Sequence, residues 1–157
     1  MEDHATFMQM ALEEAHKAAL CGEVPVGAVL VRDQTVLARN YNRREQHQDP
    51  LAHAELSVIQ EAAQKLNTWR LTGTTLYVTL EPCMMCTGAL IQARIHTLVF
   101  GTWDPKAGAC GSLLNGLEIP GLNHRVEMIA EIHKEPCRDI LQKFFRELRQ
   151  APQAIHG

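Results

Sequence analysis

TTLYVTLEPCMMC, residues 74–86, runs from a β-branched and aromatic stretch into a proline and two cysteines three apart. TTLYVTLE reads as a strand. Pro82 suits the first position of a helix reaching about Arg94, since its fixed φ fits there and its missing N–H is no loss. Cys83 and Cys86 then share one face of the first turn. A helix N-terminus favours the thiolate, which is the form a metal requires. The same geometry suits a redox couple, half of a structural metal knot, or part of a metal site that does chemistry.

Outward from this stretch, elements alternate. Residues 3–21 read as an amphipathic helix with Phe7, Met10, Ala11, Ala15 and Ala18 at helical spacing. VPVGAVLVRD and TVLARNY are β-rich runs joined by a short Asp-Gln turn, which predicts a hairpin. NRREQHQDP is polar and ends in proline, so it reads as a loop before a helix over roughly 51–66. HTLVFG is the next strand. Residues 101–124 hold five of the ten glycines and two prolines, which predicts loop, with a short helical turn at SLLNGL. RVEMIAE reads as a fifth strand. A last helix begins near Pro136, with Cys137, Leu141, Phe144, Phe145 and Leu148 on one stripe. The order predicts a three-layer α/β/α sandwich around a five-stranded mixed sheet. A single domain over 1–150 is expected, and APQAIHG (151–157) reads as a disordered tail.

Composition narrows the class. The 157 residues suffice for one sizeable core, and 46% hydrophobic with 21% charged is ordinary for a globular chain. MEDHATFMQM lacks a basic n-region and an apolar h-region, so no signal peptide is expected. No stretch nears the roughly 18 apolar residues of a membrane span. Five cysteines without a secreted small-domain pattern argue against a disulfide framework. A reduced, cytoplasmic chain is the expectation. Net charge of −3 argues against a protein coated in positive charge for bulk nucleic-acid binding, though not against a local basic patch.

A structural zinc site closes its tetrahedron with four protein ligands. Cys21, Cys110 and Cys137 stand alone, and the first two read as small filler residues and the third as core. The missing partner lies upstream in LAHAEL, 51–56. There Val58, Ile59, Ala62 and Leu66 form an apolar helix stripe, opposite Gln60, Glu61, Gln64 and Lys65. Glu55 falls in the middle of that stripe, where a carboxylate is costly without a role. His53 joins it at one site only if it stands at the very start of the helix, which Pro50 allows. His53, Cys83 and Cys86 plus one open position is the arithmetic of catalytic zinc, with Glu55 beside the open position as proton carrier.

H-A-E followed by P-C-x-x-C resembles the known signature of the zinc-dependent nucleobase deaminases. Over nearly the whole chain the resemblance is strongest to the bacterial tRNA-specific adenosine deaminases. FGTWDPKAGACGSLLN (100–115), GLNHRVE (121–127) and FFRELR (144–149) carry that distinction. The resemblance implies a cytidine-deaminase-like fold, one Zn2+ per subunit and a homodimer. It also implies hydrolytic conversion of adenosine to inosine at the wobble position of tRNA by a zinc-activated water. By the same resemblance His53, Cys83 and Cys86 match the zinc ligands and Glu55 the proton shuttle. Asn42 matches a nucleoside contact, Asp104 and Lys106 lie in an RNA-contacting loop, and Phe145 and Arg149 lie in an RNA-facing helix. Trp103 and Pro105 flank Asp104 at positions the resemblance does not fix, so it carries over the zinc chemistry but no preference for neighbouring bases. Arg43, Arg44, Lys143 and Arg146 add local positive charge, while Phe145 also reads as partly core.

Three rivals share parts of this pattern. A deaminase of a free base or nucleotide would need no RNA surface. A non-catalytic zinc module would need no Glu55 on an apolar stripe. A thiol redox protein would need neither His53 nor Glu55.

Overall fold

The computed structural model describes residues 3–151. Of the expected tail only Ala151 is described, extended at the end of the last helix; 152–157 lie outside the described residues. Five strands, β1 (Gly27–Arg32), β2 (Thr35–Tyr41), β3 (Thr75–Leu80), β4 (Thr97–Thr102) and β5 (Glu127–Ile129), form one sheet in the order β2-β1-β3-β4-β5. β1 pairs antiparallel with β2 and β3, whereas β3–β4 and β4–β5 are parallel, so the sheet is mixed as expected. Among the described residues the helices are α1 (His4–Leu20), α2 (Arg44–His47), α3 (Ala54–Leu66), α4 (Met84–Gln92) and α5 (Lys134–Gln150).

Strand alternation sorts side chains into two cores. Ala28, Leu30, Leu76, Val78, Leu98 and Phe100 pack with α3 and α4 on one face. Val29, Val31, Tyr77 and Val99 pack with α1 and α5 on the other. α1 lies close on β1, because a Cβ at Gly27 would stand 2.0 Å from the Ala11 carbonyl oxygen. The hairpin turns on Asp33 and Gln34, both at positive φ (50° and 62°), the twist a two-residue hairpin demands.

Several expectations need correction. The loop 42–50 contains α2, whose first-turn N–H groups at Glu45 and Gln46 donate to the buried Glu23 carboxylate at 3.0 and 2.6 Å. α3 starts at Ala54 rather than 51, because Leu51 N–H is held by Asp49 and the Ala52 carbonyl accepts from Arg43. α4 starts at Met84, not Pro82. Pro82 and Cys83 continue as extended backbone, with Ala109 N–H donating to Pro82 and Cys83 bridged to Gly108. SLLNGL forms turns and a bridge between Cys110 and Asn115 instead of a helical turn. α5 begins two residues before Pro136. Of the expected stripe only Cys137 is buried, joined by Ile140 from outside it; Phe145 is 40% exposed and Leu148 60%, so Phe145 is not core. Cys21 is exposed rather than filler.

Candidate metal centre

Two helix starts face each other across the α3/α4 core. His53 caps α3 in extended backbone (ψ 149°) and Cys83 caps α4 likewise (ψ 176°). Cys86 follows in the first turn of α4, buried. His53 Nδ1 lies 3.7 Å from Cys83 Sγ and 3.5 Å from Cys86 Sγ. All three donor atoms stand within 4.8 Å of one another, a group that could hold a metal ion. A tetrahedral zinc at about 2.3 Å from sulfur and about 2.05 Å from nitrogen sets S···N edges near 3.6 Å, so the spacing fits. Two soft sulfurs with an imidazole are also the donor chemistry that selects zinc.

The thiols differ. The Cys86 thiol, donating to Cys83 sulfur, is the main cause that holds Cys83 down to about 3; His53 adds to it and burial opposes it. Cys86 is pushed well above the ordinary thiol range, first by that same hydrogen bond and then by burial. His53 is raised, chiefly by its contact with Cys83. Cys110 and Cys137 are both pushed up to about 12 by burial and remain inert thiols. Cys83 is therefore drawn to thiolate more by its neighbour than by the helix end that the sequence suggested.

Glu55, in the first turn of α3, is 4% exposed. Burial is the main cause that raises its carboxyl above the usual range, with its own backbone N–H and the Cys86 thiol working against this. It lines a pocket of about 190 Å³ with His53, Cys83, Asn42, Arg44 and Asp104. Asn42 is buried there, donating to the Val24 carbonyl at 3.2 Å and accepting from Arg44 N–H at 3.2 Å.

A second, larger hollow of about 850 Å³ adjoins the pocket, sharing Val24, Leu80 and Asp104. Trp103, Asp104, Pro105 and Lys106 form one wall, and Arg138, Phe145, Arg146 and Arg149 the other. Asp104, Lys106, Phe145 and Arg149 are thus brought together, with Asn42 in the connected pocket. Trp103 is braced edge-on against Phe100 at 4.8 Å and donates to Glu131 at 2.9 Å. Arg43 stands apart, stacked on Tyr41 at 4.2 Å and donating to Asn40. Lys143 is exposed and lines neither hollow.

Sequence reasoning passed over Glu23 and Glu81, both buried against loop N–H groups. For Glu81 a signal existed: an acid ending an apolar strand, just before the proline. Glu23 carries none, because its partners are backbone groups of a distant segment.

Fold and site define a deaminase. The model of the MafB19-like deaminases matches residues 2–149, and the chain belongs to that family. Among its relatives, the tRNA-specific adenosine deaminase of Bacillus subtilis (strain 168) is 48% identical over 154 residues, 98% of this chain and 96% of that one. A solved structure from studies of A-to-I editing by tRNA:A34 deaminases at the wobble position of transfer RNA superposes with TM-score 0.84 at 43% identity. That match covers 87% of this chain and 99% of the other. The guanine deaminase of Bacillus subtilis is more distant, with TM-score 0.64 and 25% identity over 99% of both chains.

Proposed function

We propose that this chain, as a single deaminase domain, converts adenosine to inosine at the first anticodon position of tRNA, consuming water and releasing ammonia. The observation that carries the reading is the buried Glu55 beside the His53–Cys83–Cys86 donor set, in a pocket that opens onto a groove walled by arginines and aromatics. The 48% identity to a named tRNA-specific adenosine deaminase supports the substrate, against the 25% to a guanine deaminase.

His53, Cys83 and Cys86 would hold Zn2+, which when bound lowers the pKa of water from about 15.7 to near 7 and so supplies hydroxide at neutral pH. Glu55 does the proton work. Its raised carboxyl takes a proton from the attacking water and gives it to adenine N1, leaving C6 electrophilic. After addition at C6 it takes the remaining proton from the new C6 hydroxyl and passes it to the departing amine, so that the C6–N bond breaks as the C6 carbonyl forms and ammonia leaves. Asn42 and Arg44 line the pocket around the nucleoside. An adenosine in a duplex cannot enter, so an anticodon loop, with its bases already splayed, is the fitting donor. Lys106, Arg146 and Arg149 offer charge to its phosphates, and Phe145 an exposed ring for stacking.

The reading includes a homodimer. Its support is a mainly apolar hollow between α3 and α4, lined by Leu56, Ile59, Ala63, Trp69, Ala89 and Ala93 together with Gln60 and Gln92, where Trp69 is 57% exposed. It also includes a cytoplasmic enzyme; no described helix is long and apolar enough to cross a membrane.

The test is purified protein with an anticodon stem-loop RNA carrying adenosine at the first anticodon position, read by mass spectrometry, with free guanine, cytosine and deoxycytidylate in parallel. Inosine at that position alone is expected. Turnover of a free base with the RNA untouched would overturn the substrate.

A further inference from the structure

Glu81 opens the EPCMMC stretch and has no part in the donor set, yet its carboxylate is among the most completely used groups in the molecule. It is 2% exposed. It accepts from Asp104 N–H at 3.0 Å, Cys110 N–H at 2.9 Å and Ser112 N–H at 3.1 Å, and from the Ser112 hydroxyl. The donors come from separate points of one irregular segment, 103–112, and converge on one side chain. The adjoining backbone reinforces the seam. Glu81 N–H donates to Thr102, Ala109 N–H donates to Pro82, and Cys83 pairs with Gly108. Gly108 leaves the carboxylate its room, since a Cβ there would lie 2.3 Å from it.

This seam joins the two working parts of the site. On one side, two residues on from Glu81, stands Cys83. On the other stands Asp104, which borders both the pocket and the groove and whose carboxylate bends the chain by accepting from Lys106 and Ala107 N–H. The segment has no helix or strand of its own to fix that spacing.

We propose that Glu81 is a positioning residue: it fastens the 103–112 segment to the metal-ligand arm and so sets where Asp104 and Lys106 meet the nucleotides around the target. This rests on the tRNA reading above. A glutamine keeps the shape but not the function, because its amide has one accepting oxygen and would turn N–H groups toward N–H donors.

The experiment compares wild type, Glu81→Gln and Gly108→Ala. Zinc content, Tm, amide exchange of Asp104, Cys110 and Ser112, and steady-state kinetics on the anticodon stem-loop RNA are measured for each. In Glu81→Gln, exchange protection is lost at those three amides and KM rises on the order of ten- to a hundredfold, with kcat held within about threefold and zinc retained. Gly108→Ala, which displaces the carboxylate from the other side, reproduces the KM effect. Retained amide protection, a lowered Tm with unchanged KM, or loss of zinc with kcat would each overturn the assignment. If wild type is inactive on the RNA, the tRNA reading falls, while the exchange result still decides whether Glu81 fastens the segment.

Discussion

Glu55 and Glu81 are two carboxylates at 4% and 2% exposure in one pocket, and the molecule treats them oppositely. Glu81 is surrounded by N–H and O–H donors that a tight segment brings to it. Glu55 has little beyond its own N–H and a thiol, and burial lifts its carboxyl above the ordinary range. A buried acid whose acceptors are all engaged holds structure together. One left under-solvated beside an open pocket fits the proton-carrying role proposed for Glu55. Depth of burial does not separate the two roles; the neighbours do.

That contrast can be broken most severely through the donor set itself. Cys86→Ala should lose the metal, measured by elemental analysis, and with it activity on the stem-loop, by at least about 10⁴-fold. Glu55→Ala comes next, with kcat down about 10²- to 10⁴-fold while the metal stays, because general acid–base transfer is worth that much. Loss of metal in Glu55→Ala would erase the distinction between shuttle and ligand.

Stability sharpens the contrast in the other direction. In the metal-free protein the folded-state pKa of Glu55 lies above its ordinary value of 4.5. The unfolded chain therefore binds fewer protons in the window above 4.5, and stability falls as pH rises through the raised value. Glu55→Gln removes this cost, so metal-free Glu55→Gln should melt at least about 2 °C above metal-free wild type at pH 7 by calorimetry, with the gap closing toward pH 4. The smallest effect belongs to the groove. Arg149→Ala should weaken stem-loop binding only several-fold, and in a salt titration should lower the slope of log K against log salt by about 1.

The sheet, its mixed pairing and the place of His53 at the very start of α3 were legible because strand alternation and the short spacing of His53 from Glu55 are local signals. His53 and Glu55 could be joined to Cys83 and Cys86 because a carboxylate on an apolar stripe demands a partner. The held segment was not legible in the same way. Residues 103–112 owe their course to a side chain upstream, and α2 owes its first turn to Glu23, so neither conformation is written in its own residues. The start of α4 was misplaced for a related reason: Pro82 satisfies the local helix rule, but pairing of 82–83 with 108–109 keeps the backbone extended one step further. Phe145 was misjudged as part core because helical periodicity marks a stripe without saying where its partner surface ends.

That stripe makes α5 a cantilever. Its root, at Cys137 and Ile140, is set in the second core, while its outer half, from Phe145 onward, overhangs the groove. Residues at the root are constrained by packing, and changes there threaten the whole fold. Those on the overhang bear no such load. On the tRNA reading proposed above, substrate preference would then drift by substitution at the tip of one helix, without renegotiating either the His53–Cys83–Cys86 donor set or the packing of the second core.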